Sequence, residues 1–334
     1  MARPIRDRVV VVTGASSGVG RACARAFATR GARVALIARN REALDAAAAE
    51  VRDAGGEAMV LTLDIADADA VERDAAAVEQ RWGRIDTWVN NAMLTVFAPA
   101  MDVTPEEYRR VTEVTYLGYV HGTLAALRRM LPRDEGVVIQ IGSALAYRSI
   151  PLQGAYCAAK AAIRGFTDTL RTELIHEGSH VKLSMLQLPA VNTPQSVRQR
   201  NKLDRLSRPV PPMFGPESIA ERVVWAAEHA PREMLIGRLT VQAVWAQKLV
   251  PVLLDMYLGK TGYQPQLSDR PNDQHGRDIL FDTLPGDPGA HGPYIDQERG
   301  PDLLMRLRPH ARTVGLAAGI ASVATAAVAR RLWS

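Results

Sequence analysis

Tyr156 and Lys160 stand four residues apart in the run Gly154-Ala155-Tyr156-Cys157-Ala158-Ala159-Lys160. On a helix that spacing places both side chains on one face, about one turn apart. An ammonium beside a phenol favours the phenolate and lowers the tyrosine pKa from its ordinary value of about 10. Such a pair suits a reaction in which a proton moves on or off an alcohol oxygen. Chance supplies Tyr-x-x-x-Lys often, so the pair gains meaning only from the elements that would hold it.

Those elements are legible. Arg8 to Thr13 is a β-branched run that reads as a buried strand. Thr13-Gly14-Ala15-Ser16-Ser17-Gly18-Val19-Gly20 follows, then an Ala/Arg-rich helix from about Arg21 to Arg30. Strand, glycine-rich turn and helix in this order make a phosphate cradle, because glycines let a pyrophosphate approach the N–H groups at the helix start. Further strands are expected at Arg33–Ala38, Glu57–Leu63, Ile85–Val89, Val137–Ile141, Val181–Leu188 and Glu233–Thr240. Helices are expected over Arg41–Ala54, Asp67–Trp82, Thr104 to about Met130 with Thr104 as N-cap, Tyr156 to about Glu177, and Pro216–Ala230. Regular alternation predicts an α/β fold of the Rossmann type: a doubly wound parallel sheet of about seven strands, helices on both faces, with a C-terminal extension. Ligands in such sheets bind beyond the carboxyl ends of the strands. Gly14, Asn90, Ser143 and Pro189 all fall at such ends and converge on one cleft.

Taken together, the glycine loop, Asp64, Asn90-Asn91-Ala92, Ser143, Tyr156 with Lys160, and Pro189-Ala190-Val191-Asn192-Thr193 resemble the short-chain dehydrogenase/reductase family over roughly Arg6 to Thr240. The resemblance implies hydride transfer between a nicotinamide and a carbonyl or alcohol carbon. It implies Tyr156 as general acid or base, and Lys160 as the group that lowers its pKa and holds the nicotinamide ribose. It implies Ser143 as a hydrogen-bond donor to the substrate oxygen, and Thr193 at the carboxamide. The cofactor site it implies comprises Gly14, Ser16, Ser17, Gly18, Val19, Gly20, Arg39, Asp64, Ile65, Asn91, Ala92, Tyr156, Lys160, Pro189, Val191 and Thr193, with Asp64 and Ile65 at the adenine. The second strand ends in Ala38-Arg39-Asn40, with no carboxylate to repel a 2′-phosphate, and Arg39 offers a fork of donors for one; NADP(H) is therefore expected over NAD(H). Three positions depart from the family pattern. Thr115 stands where an Asn of the proton relay is usual, and Met93 and Ala190 replace glycines.

The bulk composition agrees with one large α/β domain: 334 residues, 47% hydrophobic, 23% charged. A net charge of +5 with 5% aromatic residues does not suggest a nucleic-acid reader. Cys23 and Cys157 make no disulfide framework, and Met1 to Asp7 has no apolar run of a signal peptide, so a cytoplasmic catalytic domain is expected. His176-Glu177-Gly178-Ser179-His180 fits a zinc-protease pattern, but Gly178-Ser179 reads as a helix end, and no metal is expected.

Past Thr240 the resemblance fades. Residues 241–260 form an apolar helical stretch, either packed over the substrate cleft or facing a membrane or another subunit. Residues 261–312 are rich in Pro and Gly and read as irregular. The uncharged run 313–329 is a candidate membrane-anchoring helix, with a soluble Ala-rich helix as the alternative. The lid at about Thr193 to Phe214 carries Leu203, Leu206, Val210, Met213 and Phe214 among arginines. The expected function is an NADP(H)-dependent oxidoreductase for an apolar, lipid- or steroid-like ketone or secondary alcohol. The alternatives are a 3-oxoacyl thioester reductase or a catalytically weak cofactor-binding scaffold. The partner is a small-molecule substrate, and the family resemblance implies a homo-oligomer through two long helices, with Ala158, Ala159, Ala162 and Gly165 as a small-residue face.

Overall fold

A computed structural model of the protein describes residues 4–273 and 276–306. The candidate anchor 313–329 lies outside the described residues. Seven strands form the central sheet: β1 (Val9–Thr13), β2 (Arg33–Ala38), β3 (Glu57–Thr62), β4 (Thr87–Asn90), β5 (Val137–Ser143), β6 (Lys182–Leu188) and β7 (Glu233–Leu235). Their order is 7-6-5-4-1-2-3, all parallel. The strand order therefore reverses beside β1. β1 is buried along its whole length, which is why it reads as an unbroken valine run rather than an alternating one.

The helices are α1 (Gly18–Ala28), α2 (Arg41–Asp53), α3 (Ala68–Trp82), α4 (Pro105–Thr112), α5 (Gly118–Met130), α6 (Gly154–His176), α7 (Pro216–His229), α8 (Arg238–Leu249) and α9 (Pro251–Thr261). One apolar cluster lies between the sheet and α1, α2 and α7, and another between the sheet and α3, α4 and α5. Side chains of β1 alternate between the two: Val10 and Val12 enter the first, Val9 and Val11 the second.

Two boundaries differ from expectation. The helix from Thr104 carries the capping box in which Thr104 and Glu107 satisfy each other's backbone N–H groups, but it widens into a π-turn at Glu113–Leu117 before α5. The apolar stretch after Thr240 is two helices, because Pro251 cannot donate the N–H that would continue α8. The histidine pair straddles a helix end: α6 stops at His176, Gly178 is left-handed at φ 68°, and His180 turns to Asp134.

Three two-stranded pairings tie the later chain to the domain. Val96–Phe97 pairs with Arg200–Asn201, Arg205–Ser207 with Leu267–Pro271, and Met213–Phe214 with Glu298–Arg299. Beneath the cleft, β4 ends in a fully buried polar hub. Asn90 accepts from Trp88 Nε1 (2.8 Å) and donates to Thr123 Oγ1 (2.9 Å) and Gln140 Oε1 (3.0 Å). Every member is paired, so truncating one strands the rest. Asn90→Ala is expected to destabilise the fold by about 3 kcal/mol, read as a lower urea midpoint at unchanged slope; a loss under about 1 kcal/mol would mean the hub re-pairs through water.

Candidate active site

The glycine loop is held by packing rather than by capping. Gly14 and Gly18 adopt left-handed backbone at φ 67° and 56°, and a Cβ on Gly14 would lie 2.8 Å from Ala92 Cα. Gly20 faces inward: a Cβ there would meet Gly14 O at 2.2 Å and Asn91 Nδ2 at 2.6 Å. Thr13 Oγ1 accepts from Asn91 N (2.9 Å) and Ala92 N (3.1 Å), while Asn91 Nδ2 donates to Thr13 O (3.0 Å). These bonds fasten the loop to the segment after β4. Ser17, at the N-cap of α1, makes no side-chain cap, and no acidic residue sits in the first turn.

A cavity of about 510 Å³ runs from this loop across the carboxyl ends of the sheet. Every expected site residue lines it except Gly20, whose place is the close contact described above. At one end lie Arg39, Asp64 and Ile65; at the other lie Ser143, Tyr156 and Lys160, with Pro189, Val191 and Thr193 between the loop and the far wall. Met93 and Ala190 also line the cavity. A left-handed glycine cradle, a helix start with no side-chain cap and a long cleft at the switch point together fit a dinucleotide cofactor.

Lys160 departs from the expected electrostatics. It is 1% exposed, and its Nζ donates to Ile141 O (2.6 Å) and Tyr119 Oη (2.9 Å). Burial pulls its pKa down from 10.5 to about 7. Tyr156 is not driven toward phenolate. Burial pushes its pKa above the ordinary value, and the Ser143 hydroxyl, hydrogen-bonded to the phenol, pulls the other way. The ammonium lies 5.6 Å from the Tyr156 ring centroid and 4.6 Å from that of Tyr119. Ser143 is itself positioned: its N–H donates to Gln187 Oε1 (2.9 Å), and its Oγ accepts from Leu145 N (3.1 Å).

Tyr119 was not among the sequence candidates. It carries no motif signal, because only the packing of α5 against β5 brings its hydroxyl to Lys160 and to Ile141 O (3.0 Å). Thr115 turns away from the pair: its hydroxyl donates to Leu94 O (2.8 Å) and accepts from Leu94 N (2.9 Å), pinning the loop after β4. The lid also differs from expectation. Met213, Phe214 and Leu206 are buried in packing, and of the five apolar lid residues only Val210 lines the cavity, with Pro209 and Pro212 beside it. Arg39 does not stand free either, since its guanidinium donates to Phe281 O (2.8 Å) and to Ile279 O. Asp64 pairs with Arg110 and accepts from Ala66 N (3.0 Å).

Comparison with known proteins now carries weight. The short chain dehydrogenase family model matches residues 8–204. The chain is 35% identical over 283 residues to "Uncharacterized oxidoreductase YxnA" of Bacillus subtilis (strain 168), covering 84% of this chain and 80% of that protein. It is 38% identical over 176 residues to "Dehydrogenase/reductase SDR family member 7B" of Bos taurus, spanning 54% of that protein and 51% of this one. A metagenomic short-chain oxidoreductase solved with NADP superposes with a TM-score of 0.59 at 29% identity, over 70% of this chain and 98% of that one. An alcohol dehydrogenase from Thermococcus sibiricus, solved with 5-hydroxy-NADP, gives 0.59 at 30% identity over 69% and 95%. The chain belongs to the short-chain dehydrogenase/reductase family. It is an NAD(P)-dependent oxidoreductase.

Lys160 makes a testable contribution to stability. Its pKa is lower in the folded protein (about 7) than the ordinary 10.5, so between these values the unfolded chain binds the extra proton. The contribution is complete above pH 10.5 and is lost as pH falls toward 7. Lys160→Met is therefore expected to flatten the rise of urea stability with pH across this window; parallel wild-type and variant curves would show that Lys160 stays fully protonated.

Proposed function

We propose that the protein is an NADP(H)-dependent oxidoreductase interconverting an apolar ketone and secondary alcohol. The observation that carries this reading is the cavity itself, in which Ser143, Tyr156 and Lys160 share one wall with a mostly apolar mouth. A bound nicotinamide supplies or accepts the hydride. On reduction the Tyr156 hydroxyl gives its proton to the oxygen of the reacting carbonyl, and on oxidation the phenolate takes one. The Ser143 hydroxyl donates to the same oxygen as charge builds there. Lys160, steadied by Tyr119 Oη and Ile141 O, holds the ribose. The raised pKa of Tyr156 suits the reductive direction, in which the phenol must keep its proton until the transition state.

Leu94, Phe97, Ile150, Val210, Leu239 and Ala243 supply apolar lining, and Arg208 a cationic group beside it. They support a substrate with an apolar body and a polar or anionic end, which also accommodates the alternative of a 3-oxoacyl thioester. Arg39 at the adenosine end supports NADP(H) over NAD(H). Oxidation of NADPH and NADH with carbonyls of graded size should show turnover preferring NADPH. Tyr156→Phe should lose about 10³-fold in kcat with cofactor binding retained, and Arg39→Ala should lose at least about tenfold of the NADPH preference. Full activity of Tyr156→Phe would reject the assignment, and tight binding without turnover on any carbonyl would favour the scaffold reading.

A second reading concerns the surface beside the mouth. No helix of the described residues is long and apolar enough to cross a membrane. Yet α9 buries none of its residues: Val252, Leu253, Met256 and Tyr257 are 60–67% exposed, and Leu249 at the end of α8 is equally open. Lys248 lies in the last turn of α8 and Lys260 in the last turn of α9, and Asp255 is paired with Arg148. This face supports contact with an anionic lipid surface, whereas a homo-oligomer would pack through α5 and α6, where Ala158 and Gly165 are exposed. Leu253→Asp with Met256→Asp should cut co-sedimentation with anionic vesicles at least about fivefold. Unchanged binding would discard the reading, and loss of a dimer in the same variant would assign the face to a second copy.

A further inference from the structure

The chain from Gly276 onward does not trail away from the domain. Residues 278–292 run along the adenosine half of the cleft, and Ile279, Thr283, Leu284 and Pro288 form part of its lining. Leu280 is 1% exposed, plugged into the apolar cluster on the α3–α5 side. On the far side of the cleft, Gly289 O accepts from Gly18 N at 3.2 Å, so the segment reaches the glycine loop itself. Gly292 then packs under the Thr193 loop, where a Cβ would lie 2.5 Å from Thr193 O.

Its fastenings are mostly polar, local and made to backbone. Arg39 donates to the carbonyls of Ile279 and Phe281, Arg110 to that of Leu280 (3.0 Å), and Asn40 (2.7 Å) and Arg198 (3.0 Å) to that of Leu284. Gly286 N donates to Glu42 Oε2 (2.9 Å), and Asp287 pairs with Arg21. Asp287 and Glu42 are both exposed. Between Leu280 and Ala290, both buried, the segment is held by polar bonds that are exposed or only partly buried; the firmest is Asp287 to the buried Arg21. A segment of this kind opens far below the cost of unfolding the sheet behind it.

We propose that residues 278–292 are a roof over the adenosine half of the cofactor site, so that a dinucleotide enters and leaves only when this roof opens. The inference rests on the dinucleotide reading of the cleft given above. Arg39 belongs to both structures. A guanidinium has five N–H donors, so one side chain can hold the roof carbonyls and a 2′-phosphate together, and the phosphate then steadies the closed roof. The family model stops at residue 204, and the matched structures cover 69–70% of this chain. The roof lies beyond the stretch that the family model matches.

The test uses the full chain. Amide hydrogen exchange of residues 279–289 is followed without ligand, with NADPH, with NADH and with 2′,5′-ADP. NADPH and 2′,5′-ADP should each slow exchange about tenfold, NADH less. Release of NADPH is then timed by stopped-flow displacement with NADP⁺. The pair Glu42→Ala with Asp287→Ala, which leaves Arg21 its bond to Glu50, should raise the release and association rates together by several-fold. NADPH binding with unchanged exchange and wild-type release in the double variant overturns the roof alone. Failure of any nicotinamide dinucleotide to bind overturns the roof together with the cofactor reading beneath it.

Discussion

A single buried cation organises the reactive end of this protein. Lys160 brings an ammonium from α6 to the carboxyl end of β5, where the oxygens offered to it by Tyr119 and Ile141 are both uncharged. Desolvation of a charge is costly, and neutral acceptors return only part of the cost. The cation is therefore poised rather than simply stabilised, as its lowered pKa records. Three elements must keep their positions for it: α5 for Tyr119, β5 for the carbonyl, and α6 for the lysine and for Tyr156 one turn away. The π-turn at Glu113–Leu117 lies just before Tyr119 and resets the phase of the helix that carries it.

The opposite end of the cleft relies on closeness instead of charge. Gly20 allows α1 to approach the Gly14 carbonyl and the Asn91 amide, and Thr13 binds the two loops into one piece. A floor built this way is stiff, since a single methyl group has nowhere to go. The wall opposite is the C-terminal segment, fixed mostly by polar contacts to its backbone. Stiff floor and looser wall are a division suited to a site that must both orient a large cofactor and exchange it.

What the sequence disclosed and withheld follows from the kind of interaction. β1, the glycine loop, Thr104 as a cap and the strand-end residues were legible because buried parallel strands and phosphate cradles leave local signatures. Gly14, Ser143 and Pro189 share one cleft as topology predicts, whereas Asn90 lies beneath it in the buried hub. Tyr119 was invisible, because its role depends on which turn of α5 faces β5. The partners of Arg39 were invisible because they are carbonyl oxygens, which every residue carries alike. The lid leucine, methionine and phenylalanine were misplaced because an apolar residue in a loop reads the same whether it faces substrate or fills a gap beneath it. The effect of Lys160 on Tyr156 differs from the expectation, since spacing on a helix says nothing of how much water the pair retains.

The pairing of Met213–Phe214 with Glu298–Arg299 links the substrate side of the cleft to a strand some eighty-five residues later. Asn192 adds to that link, donating to Glu298 Oε1 at 2.7 Å. During synthesis the ribosome releases the sheet well before these partners, and contacts between distant stretches of chain form late. A nascent chain ending near residue 240 thus has its Rossmann core but lacks both the strand that braces the lid and the wall over the adenosine end. The walls of the cleft are thus completed only by chain made long after the sheet that floors it.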